Sequence, residues 1–313
     1  MQGAAPSGGS SGILAARPRL AGPPSGLDSF VLESVREPAV AGSFYPAEAA
    51  ELGALVDRLL ATAPARTGGR PEAVPGAAPG AVPEAVPEAS LPKALIVPHA
   101  GYVYSGPIAA AAFARVAALG ERIARVVMIG PAHRVPVEGL VWPGVARLRT
   151  PLGEVEVDVD AIRDLPGVAA HPAAHAREHS LEVMLPFLQR IAPRAKVVPL
   201  VGSDVPAAEV GRVLEALWGG PETLIVISSD LSHYLPYREA RTRDEHTAAR
   251  IVGLDDSLSG NDACGAAGVN GLLWLARRRR MRVELVDLRS SGDTAGPRDE
   301  VVGYGAFALH EAA

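Results

Sequence analysis

The sequence predicts an α/β fold: one domain with a central mixed, largely parallel sheet flanked by helices. Three observations carry this. Short, continuous apolar runs recur along the chain, the pattern of strands buried on both faces. Between them lie stretches whose apolar residues fall at i, i+3, i+4 spacing, the period of an amphipathic helix. The 313 residues include one cysteine, so no disulfide framework, all-cysteine zinc site or iron–sulfur cluster can replace a hydrophobic core.

The elements follow in order. Residues 1–35 are rich in small residues and broken by proline, with too little apolar surface to offset the entropy of ordering. They read as a disordered tail, and no secretory signal is recognisable, so a cytoplasmic protein is expected. Leu52, Leu55, Val56, Leu59 and Leu60 define a first helix, with Pro46 as a first-turn residue. Residues 63–92 hold 73-AVPGA-77, 81-AVPEA-85 and 86-VPEA-89. Proline at this density forbids helix and favours extended, solvated backbone, so this is a disordered insertion within the domain of residues 36–313. Of the 33 glycines and 28 prolines, many fall in these two segments.

Ala94–Val97 is the first buried strand. A helix of small residues from Ser105 to Leu119 follows, with Ser105 as its cap. Val126–Ile129 and Val197–Val201 are the next buried strands. A helix then carries Val210, Val213, Leu214, Leu217 and Trp218 on one stripe. Leu224–Ile227 is a fourth strand, Gly265–Arg278 a late amphipathic helix, and Arg282–Leu288 and Val301–Leu309 close the chain.

Ligand sites in open α/β sheets lie beyond the carboxyl ends of the strands. There the sequence places Pro98-His99-Ala100-Gly101-Tyr102, then Gly130-Pro131-Ala132-His133, then Ser228-Ser229-Asp230-Leu231-Ser232-His233-Tyr234. Cys264 precedes the late helix, whose N-terminus favours a thiolate. Two imidazoles and a thiolate with an open position suit a transition metal. His233 would then be a general acid or base, with Asp230 orienting an imidazole or binding substrate. The same atoms also suit a hydrolase or transferase with Cys264 as nucleophile, His233 or His99 as base and Asp230 as orienter. His171, His175 and His179 recur every four residues, but Pro172 interrupts them and the context reads as a loop. Glu178-His179-Ser180-Leu181-Glu182 opens a helix with Leu181, Met184, Leu185 and Leu188 inward, and His179 and Glu182 are the pair expected beside the ligands. The run Arg277–Arg280 suits a helix C-terminus. Net charge is −5 and the pI about 5.9, which argues against nucleic-acid binding. No apolar run approaches the ~20 residues of a membrane span.

Together these motifs, with 36-REPAVAGSFYP-46, Ala263-Cys264-Gly265, Ser291-Gly292-Asp293 and Gly303-Tyr304, resemble the Memo family, whose bacterial members are called AmmeMemoRadiSam system protein B. The resemblance runs from about Arg36 to Leu309. It implies a fold similar to class III extradiol dioxygenases, which are non-haem iron enzymes. It implies a metal site of His99, His133 and Cys264, holding iron(II) or alternatively copper. His233 falls where the dioxygenases keep a catalytic histidine, and they carry a carboxylate where this chain has Cys264. Arg134 stands where animal relatives have a second histidine. The resemblance further implies redox or dioxygenase-type chemistry on a small-molecule substrate. Gene context in bacterial members implies a radical-SAM enzyme and an AMMECR-type companion protein as partners. A non-catalytic module that reads a peptide or partner protein is the third reading.

Overall fold

The computed structural model describes residues 34–63 and 91–312. All but the last two residues of the expected tail, and nearly all of the Pro/Ala-rich insertion, lie outside the described residues; Ser34 and Val35 are described, and Val35 is ordered by pairing with Arg147 in a strand. The chain runs through β1 (Val35–Arg36), α1 (Ala49–Thr62), β2 (Ala94–Val97), α2 (Tyr102–Phe113), β3 (Arg125–Pro131), β4 (Leu140–Trp142), β5 (Arg147–Thr150) and β6 (Gly153–Glu156). It continues through α3 (Val159–Ile162), β7 (Val168–Ala170), α4 (Pro172–Ala176), α5 (Leu185–Ile191), β8 (Lys196–Gly202), α6 (Ala207–Ala216) and β9 (Thr223–Ser228). It ends with β10 (His233–Leu235), α7 (Tyr237–Val252), α8 (Ala266–Arg278), β11 (Arg282–Ser290) and β12 (Val301–His310).

Nine strands form one mixed sheet in the order β10-β12-β2-β9-β3-β8-β4-β7, with β11 pairing β12. Its centre is parallel: β2 with β9, β9 with β3, and β3 with β8. All four residues of β2 and all six of β9 are buried, as their unbroken apolar runs require. The β12 and β11 strands add antiparallel on the β2 side. A separate sheet of β1, β5 and β6 carries the N-terminal segment.

The connections explain where the site lies. From β2 through α2 the chain steps past β9 to reach β3. From β8 through α6 it steps back past β3 to reach β9. Right-handed crossovers in opposite directions put α2 and α6 on opposite faces of the sheet. In agreement, α8 packs on β3, β9 and α6, whereas α2 packs on β2, β12, α1 and α5. Where the direction reverses, the loops leaving the strands diverge and open a crevice at the carboxyl edge.

Local expectations differ from the structure at identifiable places. The second helix starts at Tyr102, with Gly101 as its cap. Ser105 lies inside it, and its hydroxyl donates to Ala100 O at 2.9 Å. Pro46 falls outside α1, which is capped at Glu48. Leu52 and Val56 are fully buried, while Leu55, Leu59 and Leu60 pack at the edge of the core. Pro172 does not interrupt a helix but begins one, α4, with His171 capping it through Nδ1. Leu181, Met184, Leu185 and Leu188 are buried as expected. The basic run at the end of α8 places Arg278 over Trp274 and Arg279 over Trp218, so its stems and guanidinium groups cover aromatic rings. No described helix is long and apolar enough to cross a membrane.

Candidate metal centre

Three loops at the carboxyl edge build the site. His99 leaves β2, His133 leaves β3, and His179 comes from the turn before α5. Their ligand atoms lie within 4.8 Å of one another, a group that could hold a metal ion. The His133 and His179 rings stack at 4.9 Å, and His99 meets each edge-on at 5.1 and 5.6 Å. His179, expected beside the ligands, thus contributes a third imidazole to the cluster itself.

The surrounding hydrogen bonds aim these rings. Ser228 donates its hydroxyl proton to Ser180 O at 2.6 Å. It must therefore accept from His99 Nδ1, also 2.6 Å away, which leaves a lone pair on His99 Nε2. His133 Nδ1 lies 3.0 Å from Glu178 Oε1; a carboxylate only accepts, so His133 Nε2 is also free to ligate. A ring N–H held by a carboxylate or hydroxyl is how ligating histidines are oriented. His179 Nδ1 is buried and makes no hydrogen bond, although Glu178 Oε1 stands 3.4 Å away, so its polar capacity is not fully met within the cluster. Burial pushes the His99 pKa well below the usual histidine value. Burial likewise pushes His179 down to about 4. Both are therefore neutral near pH 7, the protonation state that binds metals. These donors fit a transition-metal ion.

Glu178 is the residue that sequence reasoning undervalued. Its carboxylate accepts from the backbone N–H groups of His133 at 2.6 Å, His179 at 2.8 Å and Ser180 at 2.9 Å, besides the His133 ring. Burial alone would raise its pKa, but these donors hold it well below the usual carboxylate range. It is a fixed negative charge beside the three imidazoles. Its position next to His179 in Glu178-His179 was the available signal. Gly130 permits the arrangement: a Cβ there would stand 2.9 Å from Ser180 Oγ and Leu181 Cδ2. Glu182 faces away from the ligands. It accepts from the Ala39 and Val40 N–H groups at 2.8 and 3.0 Å, and from Tyr45 and Arg36. Its work is to anchor the N-terminal segment, whose Phe44 ring then rests 4.8 Å from His179.

Cys264 Sγ lies 3.4 Å from His99 Nε2. The thiol is placed by a reciprocal pair, in which Asp230 N donates to Sγ at 3.3 Å and Cys264 N to Asp230 O at 3.2 Å. Gly265 is needed here, because a Cβ would come within 2.3 Å of Ser228 O. The thiolate expected at the N-terminus of α8 is overruled: burial, then the Asp230 charge, pushes the thiol up. Asp230 accepts from His99 N at 2.8 Å, and its Oδ2 is 4.0 Å from His99 Nε2. Full burial pushes its carboxyl up to about 7. His233 Nδ1 sits 2.9 Å from Leu231 O, so it donates there and Nε2 is left free. Burial lowers its pKa. His99, His133, His179, Asp230 and His233 all line one cleft of about 620 Å³, but Cys264 is not among the residues that wall it.

The family model described as Memo-like protein matches residues 36–308. The chain belongs to the Memo family. A MEMO1 family protein of Ignicoccus hospitalis is 38% identical over 293 residues, covering 87% of this chain and 97% of the relative. Those of Aquifex aeolicus and Thermotoga maritima are 36% and 35% identical over 291 residues, covering 86% of this chain and 97% of each relative. The single α/β domain described above is the Memo fold in this chain, and its match covers every residue of the cluster.

Of the three histidines spaced by four, only His179 reaches the site. His175 donates from Nε2 to Val141 O at 2.9 Å and is buried. Burial lowers its pKa from 6.5 to about 4. Between those values the unfolded chain binds more protons than the folded one. Its contribution to stability is therefore complete above pH 6.5 and lost as pH falls toward about 4. The difference in unfolding free energy between wild type and His175→Gln is expected to shift by on the order of 3 kcal/mol across that window. Urea titrations at a series of pH values measure it, and a flat difference would count against the burial argument.

Proposed function

We propose that this Memo-family protein is a cytoplasmic metal protein that performs redox or dioxygenase-type chemistry on a small molecule. Iron(II) is the first choice of metal and copper the alternative. The observation behind this is the convergence of three imidazoles, two of them oriented through Nδ1 by defined partners, in an open cleft. Imidazole donors with a nearby sulfur suit iron and copper. A bound ion would supply Lewis acidity and one-electron chemistry. The chain's own groups supply the rest. His133 and His179 are braced by Glu178, and His99 by Ser228. Cys264 would serve as a ligand as a thiolate, a form that the positive charge of a metal would favour against the burial that raises its pKa. His233 presents a free Nε2 to the cleft as acid or base. Asp230, with a pKa near 7, holds or releases a proton beside His99.

The Cys264–His99 contact also suits a nucleophile and its base. Against that reading stand the raised thiol pKa and the absence of Cys264 from the cleft wall. Metal content of protein purified without oxygen tests the proposal. The His99→Ala/Cys264→Ser double variant is expected to lose the bound ion, and unchanged content would sink the assignment. Single His179→Ala and Cys264→Ser variants rank the third imidazole against the thiol.

A further inference from the structure

The walls of the cleft carry features that metal binding does not require. Among the described residues, the exposed large hydrophobic side chains are Val103, Tyr104, Tyr234, Val252 and Leu285. Three of these five, Val103, Tyr104 and Tyr234, line this one cleft. Tyr234 is 70% exposed, so its ring contributes little to the fold. Its backbone is nevertheless held at φ 56°, in the left-handed region, which is unfavourable for a bulky side chain. The cause is a β-bulge: β10 pairs with β12 through His233 and Leu235, and the register shifts between them at Tyr234. Bulges re-aim side chains, and backbone strain of this kind gathers at functional sites. Here the bulge turns an aromatic ring toward the mouth of the cleft, next to His233.

The second feature is a charge. Arg134 is exposed, lines the same cleft beside His133, and has no hydrogen-bond or ion-pair partner among the described residues. Its guanidinium is a planar fork matched to a carboxylate. The other charged groups on the wall are acidic, Asp230 and Glu300. They disfavour a ligand with two or more negative charges. A cleft of about 620 Å³ lies in the size range of small-molecule sites.

We propose that the cleft binds a small aromatic monocarboxylate, its ring against Tyr234 and Tyr104 and its carboxylate on Arg134. This rests on reading the cleft as the substrate site of the metal centre, and it names the substrate class. Calorimetric titration with benzoate tests it, against cyclohexanecarboxylate, which keeps the charge without the flat ring, and benzamide, which keeps the ring without the charge. Benzoate is expected to bind at least about tenfold more tightly than either. Arg134→Gln weakens benzoate about tenfold and leaves benzamide nearly unchanged. Tyr234→Gly weakens both aromatic probes several-fold, yet unfolds at a temperature no lower than wild type because it relieves the left-handed backbone. Equal binding of benzoate and cyclohexanecarboxylate overturns the proposal. So does full benzoate affinity in Arg134→Gln, or no saturable binding of benzoate up to its solubility limit. Metal content is measured on the same samples. Wild-type metal levels with no benzoate binding refute the ligand class alone, whereas benzoate selectivity in protein that takes up no metal supports the ligand class and refutes the metal reading.

Discussion

Glu182→Ala is expected to destabilise the protein by about 3–5 kcal/mol, the cost of leaving one partner of a buried ion pair uncompensated. The side chain of Glu182 is almost fully buried, and that of Arg36 nearly so. Loss of the carboxylate also strands the N–H groups of Ala39 and Val40 and the hydroxyl of Tyr45. Arg36 keeps its bonds to the carbonyls of His175 and Glu178, so the segment loosens rather than detaches wholly. Phe44 rides on that segment, and its carbonyl accepts from Tyr102 N at 2.8 Å. Damage should therefore reach the wall of the cleft at His179. Urea unfolding gives the free energy, and limited proteolysis near residues 37–46 reports the loosening. A loss under about 1 kcal/mol would show that the carboxylate is dispensable.

The second large effect belongs to Glu178. Glu178→Ala removes the acceptor for three backbone N–H groups and the His133 ring. The expected result is a metal affinity lower by about 10–100-fold, with about 2–3 kcal/mol of lost stability from buried donors left unpaired. The two consequences separate by experiment. Competition against a chromophoric chelator reads affinity on the folded protein, and thermal unfolding of the metal-free protein reads stability. Undiminished affinity would mean that the three histidines are held without Glu178. The Glu178→Gln variant sharpens this. Its amide keeps the volume but loses the charge and turns a donor toward groups that themselves donate, so it should recover little.

The parallel strands were readable because burial on both faces leaves a strand no polar positions, and Ala94–Val97 and Leu224–Ile227 have none. His99, His133 and His233 were readable because each follows such a strand, where the fold leaves room for ligands. The segment from Leu140 to Ala170 was not. Its four strands have three or four residues each, too short for a period to stand out, and their pairing is set by β8 and the N-terminal segment. Ser105 had the right chemistry for a cap, but the helix begins earlier because Tyr102 N is taken by Phe44 O, a contact between distant parts of the chain. The role of Glu178 was hidden for the same reason. A carboxylate that grips the backbone of His133, 45 residues away, has no local pattern. At Cys264 two local rules competed, helix polarity against burial, and only the packed structure shows that burial wins.

The attachment of β2 has a practical consequence for engineering. Residues 64–90 rejoin the described chain just before the amino end of β2, whereas His99 leaves its carboxyl end. Four residues of strand, about 13 Å of backbone, separate the two. Those residues are clamped on either side by β12 and β9, so a change of length at one end is not transmitted to the other. A reporter domain or affinity tag spliced into this stretch, or a shortening of it, is therefore expected to leave the His99 end of β2 in place.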